Sequence, residues 1–93
     1  MLYAVPNGGA RQKATAWRLK QEGVRAGVPD LCLPVARHGL HGLYIEMKND
    51  HPKGALSPEQ KAWIVALQQH GYAAHVCYGW IEAMGVIDGY LST

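Results

Sequence analysis

Residues 27–48 read GVPDLCLPVARHGLHGLYIEMK. Two extended segments joined by a turn account for them. The first opens at Pro29-Asp30. The second, Gly42 to Lys48, alternates. Successive side chains of a strand point to opposite faces, so Leu43, Ile45 and Met47 share one face while Tyr44, Glu46 and Lys48 share the other. Glu46 and Lys48 stand side by side there, and Asp30, opening the neighbouring strand, could lie beside them. Clustered carboxylates raise each other's pKa unless a cation relieves them. A hard divalent cation such as Mg2+ takes oxygen ligands and usually only one or two protein carboxylates. Such a metal would polarise a phosphate oxygen while Lys48 orients or deprotonates a water. Taken alone, Glu-x-Lys is more often a surface ion pair at a strand end.

Working outward, Asn49 to Leu56 is a polar loop bordering Lys48. Lys53 in it is placed to touch a nucleic-acid backbone, with His51 and Asp50 as secondary candidates for proton transfer and metal binding. Ser57-Pro58-Glu59-Gln60 is a helix start: Ser57 at the N-cap, Pro58 at N1, and Gln60 at N3 completing a capping box. Gln60 also aligns with Trp63, Ile64 and Leu67 on the buried face, from which its amide would reach a metal-bound water or a phosphate. This helix runs to His70 and stops at Gly71. Ala73 to Tyr78 is apolar on both faces, as in a strand inside a sheet, and His75 in it reads as a core histidine. Trp80 to Leu91 carries a helical stripe of Trp80, Ala83, Met84, Ile87 and Leu91, with Tyr90 flanking it.

On the other side, Pro34 interrupts the strand that starts at Asp30 and marks an edge or a bulge. The loop 36–42 holds His38 and His41 at a mobile hairpin tip. With no second ligand pair they do not make a zinc site, and contact with solvent or DNA is the better reading. Arg25, just ahead of Asp30, is placed to contact a phosphate. Leu2 to Val5 reads as a strand ended by Pro6-Asn7-Gly8-Gly9, where the glycines either make a plain turn or let backbone approach a phosphate. Ala10 to Glu22 is rich in helix formers, with Gly23 at C′. Arg11 and Arg18 nearly align on it, as do Lys13 and Lys20, and Trp17 reads as core.

Ninety-three residues make one domain, and 48% apolar content fits a globular chain. A chain this short is marginally stable, which makes oligomerisation attractive. No apolar run reaches the roughly 18 residues of a membrane span, and the first residues lack the pattern of a signal peptide. Cys32 and Cys77 fall in expected strands and read as core thiols of a reducing cytoplasm. The net charge is only +2, but residues 1–25 hold five basic groups against one acidic, while the remainder holds four against six. A basic end beside an acidic metal site suits a phosphate-backbone ligand; an ordinary solvated helix face would carry the same charges.

Pro-Asp followed by Glu-x-Lys on an adjacent strand resembles the PD-(D/E)xK nuclease superfamily. The detailed match is narrower. Asn7-Gly8-Gly9, Arg11, Gly27-Val28-Pro29-Asp30-Leu31, Leu43-Tyr44-Ile45-Glu46-Met47-Lys48, Leu56-Ser57-Pro58-Glu59-Gln60 and Gly71-Tyr72 resemble the VRR-NUC family in order and over nearly the whole chain. The resemblance implies an α/β sandwich of restriction endonuclease-like type, 1–93 as a single domain, its mixed central sheet flanked by helices. The helix 58–70 would make a right-handed crossover if its flanking strands are parallel.

The resemblance also implies a metal-dependent deoxyribonuclease, bacterial or phage-encoded and cytoplasmic. Asp30, Glu46 and the Met47 carbonyl would hold Mg2+ or Mn2+, with Lys48 and Gln60 completing the catalytic set. Asn7, Gly8, Arg11, Lys13, Arg18, Arg25 and Lys53 would contact DNA. Short members of the family resemble Holliday-junction resolvases that cut four-way junctions as homodimers; larger ones resemble flap nucleases. A type II restriction enzyme needs base-reading loops for which 93 residues leave little room, and a non-catalytic DNA-binding module would tend to lose one of Asp30, Glu46 and Lys48. One feature departs from the family pattern: the sequence opens at the first strand, without the helix that commonly precedes it and carries a further acidic residue near the metal. That departure puts the family's second metal site in doubt for this sequence, as either a naturally minimal member or one truncated at its start, and a dimer partner or neighbouring element is expected to cover the exposed sheet.

Overall fold

The computed structural model describes residues 1–5 and 26–92. Within them, β1 (Tyr3–Ala4), β2 (Leu31–Leu33), β3 (Leu43–Lys48), α1 (Pro58–Gln69), β4 (Ala73–Tyr78) and α2 (Trp80–Leu91) follow in chain order. The strands form one sheet in the order β1-β2-β3-β4. β1 and β2 pair antiparallel, as do β2 and β3, while β3 and β4 run parallel. The sheet is therefore mixed, and α1 is the crossover that a parallel β3–β4 pair requires. The expected α/β architecture is what the chain adopts. The expected basic helix over 10–22, with Trp17, lies outside the described residues.

Each element has a local cause. β2 is short because Pro34 has no N–H to continue the ladder; Asp30 stands just ahead of the strand, not in it. The β2–β3 connection is tighter than a mobile tip. Arg37 and Leu40 exchange both backbone hydrogen bonds, at 3.1 and 2.8 Å, across His38 and Gly39, both at positive φ, the signature of a type I′ turn. The capping box of α1 is complete: Gln60 N donates to Ser57 Oγ at 3.1 Å, and Ser57 N donates to Gln60 Oε1 at 2.9 Å. The helix closes on Gly71, at φ +89. Gly71 N donates to the Gln68 carbonyl and Tyr72 N to the Leu67 carbonyl, the paired bonds of a Schellman motif.

The main hydrophobic cluster lies on one face of the sheet. Leu33, Leu43, Ile45, Ala73 and Cys77 pack with Ala83 and Tyr90 of α2. This cluster takes nothing from α1, which lies against β4 from the other side, with Gln68 Nε2 donating to the Ala74 carbonyl at 3.0 Å. Both cysteines are buried free thiols.

Three further expectations are corrected. β4 is an outer strand of the described sheet, not an interior one. His75, on that outer strand, is exposed and not a core residue. In α2 the buried positions are Ala83 and Tyr90, with Val86 and Ile87 partly covered, while Trp80, Met84 and Leu91 are 52%, 47% and 38% exposed. Periodicity could not fix this rotation, because α2 is apolar nearly all round. Tyr90 fixes it, its hydroxyl donating to the Val35 carbonyl at 2.5 Å and its carbonyl lying 2.9 Å from His38 Nε2.

Candidate active site

Asp30 is delivered by the segment that precedes it. Gly27 sits at φ +90, and a Cβ there would lie 2.7 Å from the Glu59 carbonyl carbon in the first turn of α1. The conformation and the space both demand glycine. Trp63 Nε1 donates to the Ala26 carbonyl at 3.1 Å, and Pro29 is fully buried. The segment 26–30 is thus wedged against α1, and its end places the Asp30 carboxyl across from β3. Asp30 Oδ2 accepts from Met47 N at 2.9 Å.

The strand register brings Glu46 to the same place. Leu31 pairs with Ile45 in an antiparallel ladder, so one residue back along β2 stands opposite one residue forward along β3. Glu46 is buried to 3% exposure, although its face also carries the half-buried Tyr44 and Lys48. Its Oε1 has no hydrogen-bond partner among the described residues. Its pKa is raised to about 8, first by burial, then by a hydrogen bond and charge from Asp30, with Lys48 pulling the other way. An acceptor oxygen removed from water with no donor is costly, and a cation held at Glu46 would offset that cost.

The backbone adds a third oxygen. Along a strand, the N–H and C=O of one residue point to the same side, and successive residues alternate. Lys48 O accepts from Gly79 N, toward β4, while Met47 N donates to Asp30. The Met47 carbonyl therefore faces the Asp30 side, just past the end of β2. Asp30, Glu46 and the Met47 carbonyl form a hard-oxygen set of the kind Mg2+ and Mn2+ take. No group of three or more His, Cys, Asp or Glu side chains forms a metal cluster among the described residues. A cation here would thus rest on two carboxylates, backbone, water and substrate oxygens, which fits the orphaned Glu46 oxygen.

The remaining candidates are placed unequally. Gln60 is engaged in the capping box through Oε1, which leaves its amide N–H2 as a donor and removes that oxygen as a ligand. Lys53 is exposed, with Nζ 4.4 Å from the centroid of the Tyr78 ring. Asn7, Gly8, Arg11, Lys13, Arg18 and Arg25 lie outside the described residues. Asp50 and His51 are exposed. His38 and His41 do not converge on a shared site: His38 meets Tyr90, and His41 packs edge-on to Tyr72. Tyr78, paired in register with Lys48, had no signal in the sequence, because register between distant strands is not written in spacing.

The mixed sheet thus brings two carboxylates, a lysine and the capped start of a helix to one point. A family model described as the VRR-NUC domain matches residues 4–80. Among solved structures, the chain is similar to a VRR_NUC domain protein with a TM-score of 0.79 and 36% identity, over 97% of this chain and 66% of that one. It thus spans just under two thirds of that protein's length. No curated protein matches. The chain belongs to the VRR-NUC family, a family of nuclease domains.

Proposed function

We propose that this chain is a metal-dependent endodeoxyribonuclease acting on branched DNA, a Holliday-junction resolvase-like homodimer that works in the cytoplasm with 1–93 as its nuclease domain. The observation that carries the chemistry is the buried Glu46 carboxyl beside Asp30, one of its oxygens without a partner among the described residues. Asp30, Glu46 and the Met47 carbonyl would hold Mg2+ or Mn2+. When bound, the cation supplies Lewis-acid polarisation of a phosphate oxygen and offsets charge gathering on the phosphoryl group. Lys48, on the same strand face as Glu46, holds the attacking water and accepts or steers its proton. Gln60 donates its free amide hydrogens to that water or to a phosphate oxygen. Water adds to phosphorus, the bond to the departing sugar oxygen breaks, and that oxygen takes up a proton. Arg11, Lys13, Arg18, Arg25 and Lys53, with Asn7 and the Gly8 backbone, hold the flanking phosphates. Two copies supply the two sites that paired cuts need.

The test is cleavage of a synthetic four-way junction, a flap and a linear duplex with Mg2+, Mn2+ or EDTA, comparing wild type with Asp30→Asn. Metal-dependent, symmetric paired nicks of the junction, lost in the variant, are expected. A fixed sequence preference on linear duplex would favour a restriction-type enzyme instead. Binding without cutting under either metal would leave a DNA-binding module.

A further inference from the structure

The loop 49–56 after β3 folds back onto the strand it has just left. Gly54 N donates to the Asn49 carbonyl at 2.9 Å, and a Cβ on Gly54 would lie 3.2 Å from Lys48 Cδ and 3.4 Å from Lys48 Cβ. The loop backbone therefore rests on the aliphatic stem of Lys48. The next residue back, Lys53, sends its ammonium over the Tyr78 ring, 4.4 Å from the centroid. Tyr78 is the register partner of Lys48 across the parallel β3–β4 pair, and directly paired residues share a face of the sheet. Lys48, Tyr78 and Lys53 thus form one contiguous group at the C-terminal end of two adjacent strands, beside Glu46. An exposed lysine samples many rotamers, and an aromatic face restricts where its charge dwells.

We infer that Tyr78 is a positioning residue: its ring holds the Lys53 ammonium next to Lys48 as a fixed clamp for a non-scissile phosphate, while the loop backbone at Gly54 sets the Lys48 stem. This rests on the nuclease reading above. Lys53 binds a phosphate that does not react, so its contact is the same before and during cleavage and acts on KM. Lys48 acts on kcat. Tyr78 touches no substrate and works only through Lys53, so its effect disappears once Lys53 is gone.

The experiment measures anisotropy of a labelled four-way junction across a salt series, together with steady-state cleavage, for wild type, Lys53→Met, Tyr78→Leu, Tyr78→Phe and the Lys53→Met/Tyr78→Leu double variant. Lys53→Met is expected to lower the slope of log K against log salt by about 0.9, one phosphate contact. It should raise KM several-fold with kcat within about twofold, the signature of lost uniform binding. Tyr78→Leu should reproduce part of the KM increase. Tyr78→Phe, which keeps the ring, should match wild type. The double variant should be no worse than Lys53→Met alone. The proposal is overturned if Lys53→Met leaves slope and KM unchanged, if Tyr78→Phe fails to rescue, or if the two substitutions add. Wild type that cuts normally alongside such results leaves the nuclease reading standing. Wild type that neither binds nor cuts any DNA overturns both.

Discussion

Glu46 holds a carboxyl that the fold has taken out of water, and its consequences appear before any substrate arrives. Its pKa stands near 8 against an ordinary 4.5, so the folded protein keeps a proton that the unfolded chain releases. The sign follows: without metal, this contribution to stability is complete below about pH 4.5 and is lost as pH rises toward 8. Denaturant unfolding in EDTA should therefore show wild type weakening across that window, with Glu46→Gln flatter. Parallel pH profiles for the two proteins would refute the assignment. A cation bound there would replace the proton, so Mg2+ should stabilise wild type more at pH 8 than at pH 5, the stabilisation amounting to ~2.7 kcal/mol where Mg2+ stands at about a hundred times its Kd. Asp30 divides differently. Because its Oδ2 accepts from Met47 N, Asp30→Ala strands a backbone donor at a cost of about 1–3 kcal/mol. Asp30→Asn keeps the acceptor, and should fold like wild type while losing the metal-induced rise in Tm and the nicking activity.

Among the elements, α1 does two things at once. Its capping box starts the helix, and its first turn presses on Gly27 to aim Asp30. Ser57→Ala removes one cap bond and should cost about 1 kcal/mol, read as a Tm lower by about 4–8 °C in a domain of this size. Gly27→Ala meets both a positive φ and the Glu59 backbone, and should cost more than about 1 kcal/mol. It should also depress cleavage beyond what its stability loss explains, because the Asp30 carboxyl moves with the segment. Cleavage by Gly27→Ala equal to that of Ser57→Ala at matched folded fraction would show that α1 does not position Asp30. α2 plays a packing role instead, burying Ala83 and Tyr90 on the sheet face away from Glu46.

Among the described residues the sheet carries α2 on one face and α1 against β4 on the other, and β4 is an outer strand. Trp80, Ile81 and Met84 stand 52%, 90% and 47% exposed along α2. No helix of the described residues is long and apolar enough to cross a membrane. A small domain with limited buried area gains from association, and paired cutting of a junction requires two sites. Sedimentation equilibrium should return a dimer at assay concentrations. A stable, well-folded monomer that still makes symmetric paired nicks would break the link between assembly and resolution.

The sequence by itself determined the elements after residue 26 and the strand face that carries Glu46 and Lys48. Alternation assigned Glu46 and Lys48 to one face, Ser57 to Gln60 spelled a capping box, and Gly71 ended the helix; these are local rules acting over a few residues. The strand Ala73–Tyr78 and the helix Trp80–Leu91 were legible to their end residues, and the ordered motif blocks were enough to indicate the family. Tertiary structure alone decided what depends on register and rotation. It put Asp30 on Met47 N, buried Glu46 with an orphaned oxygen, seated Gln60 Oε1 in its cap, left His75 exposed at an outer strand, turned α2 so that Tyr90 faces inward, and set Tyr78 beside Lys48. The reason is physical: propensity and periodicity act along the chain, whereas burial, the pKa of Glu46 and the reach of Lys53 arise from neighbours up to tens of residues away in sequence.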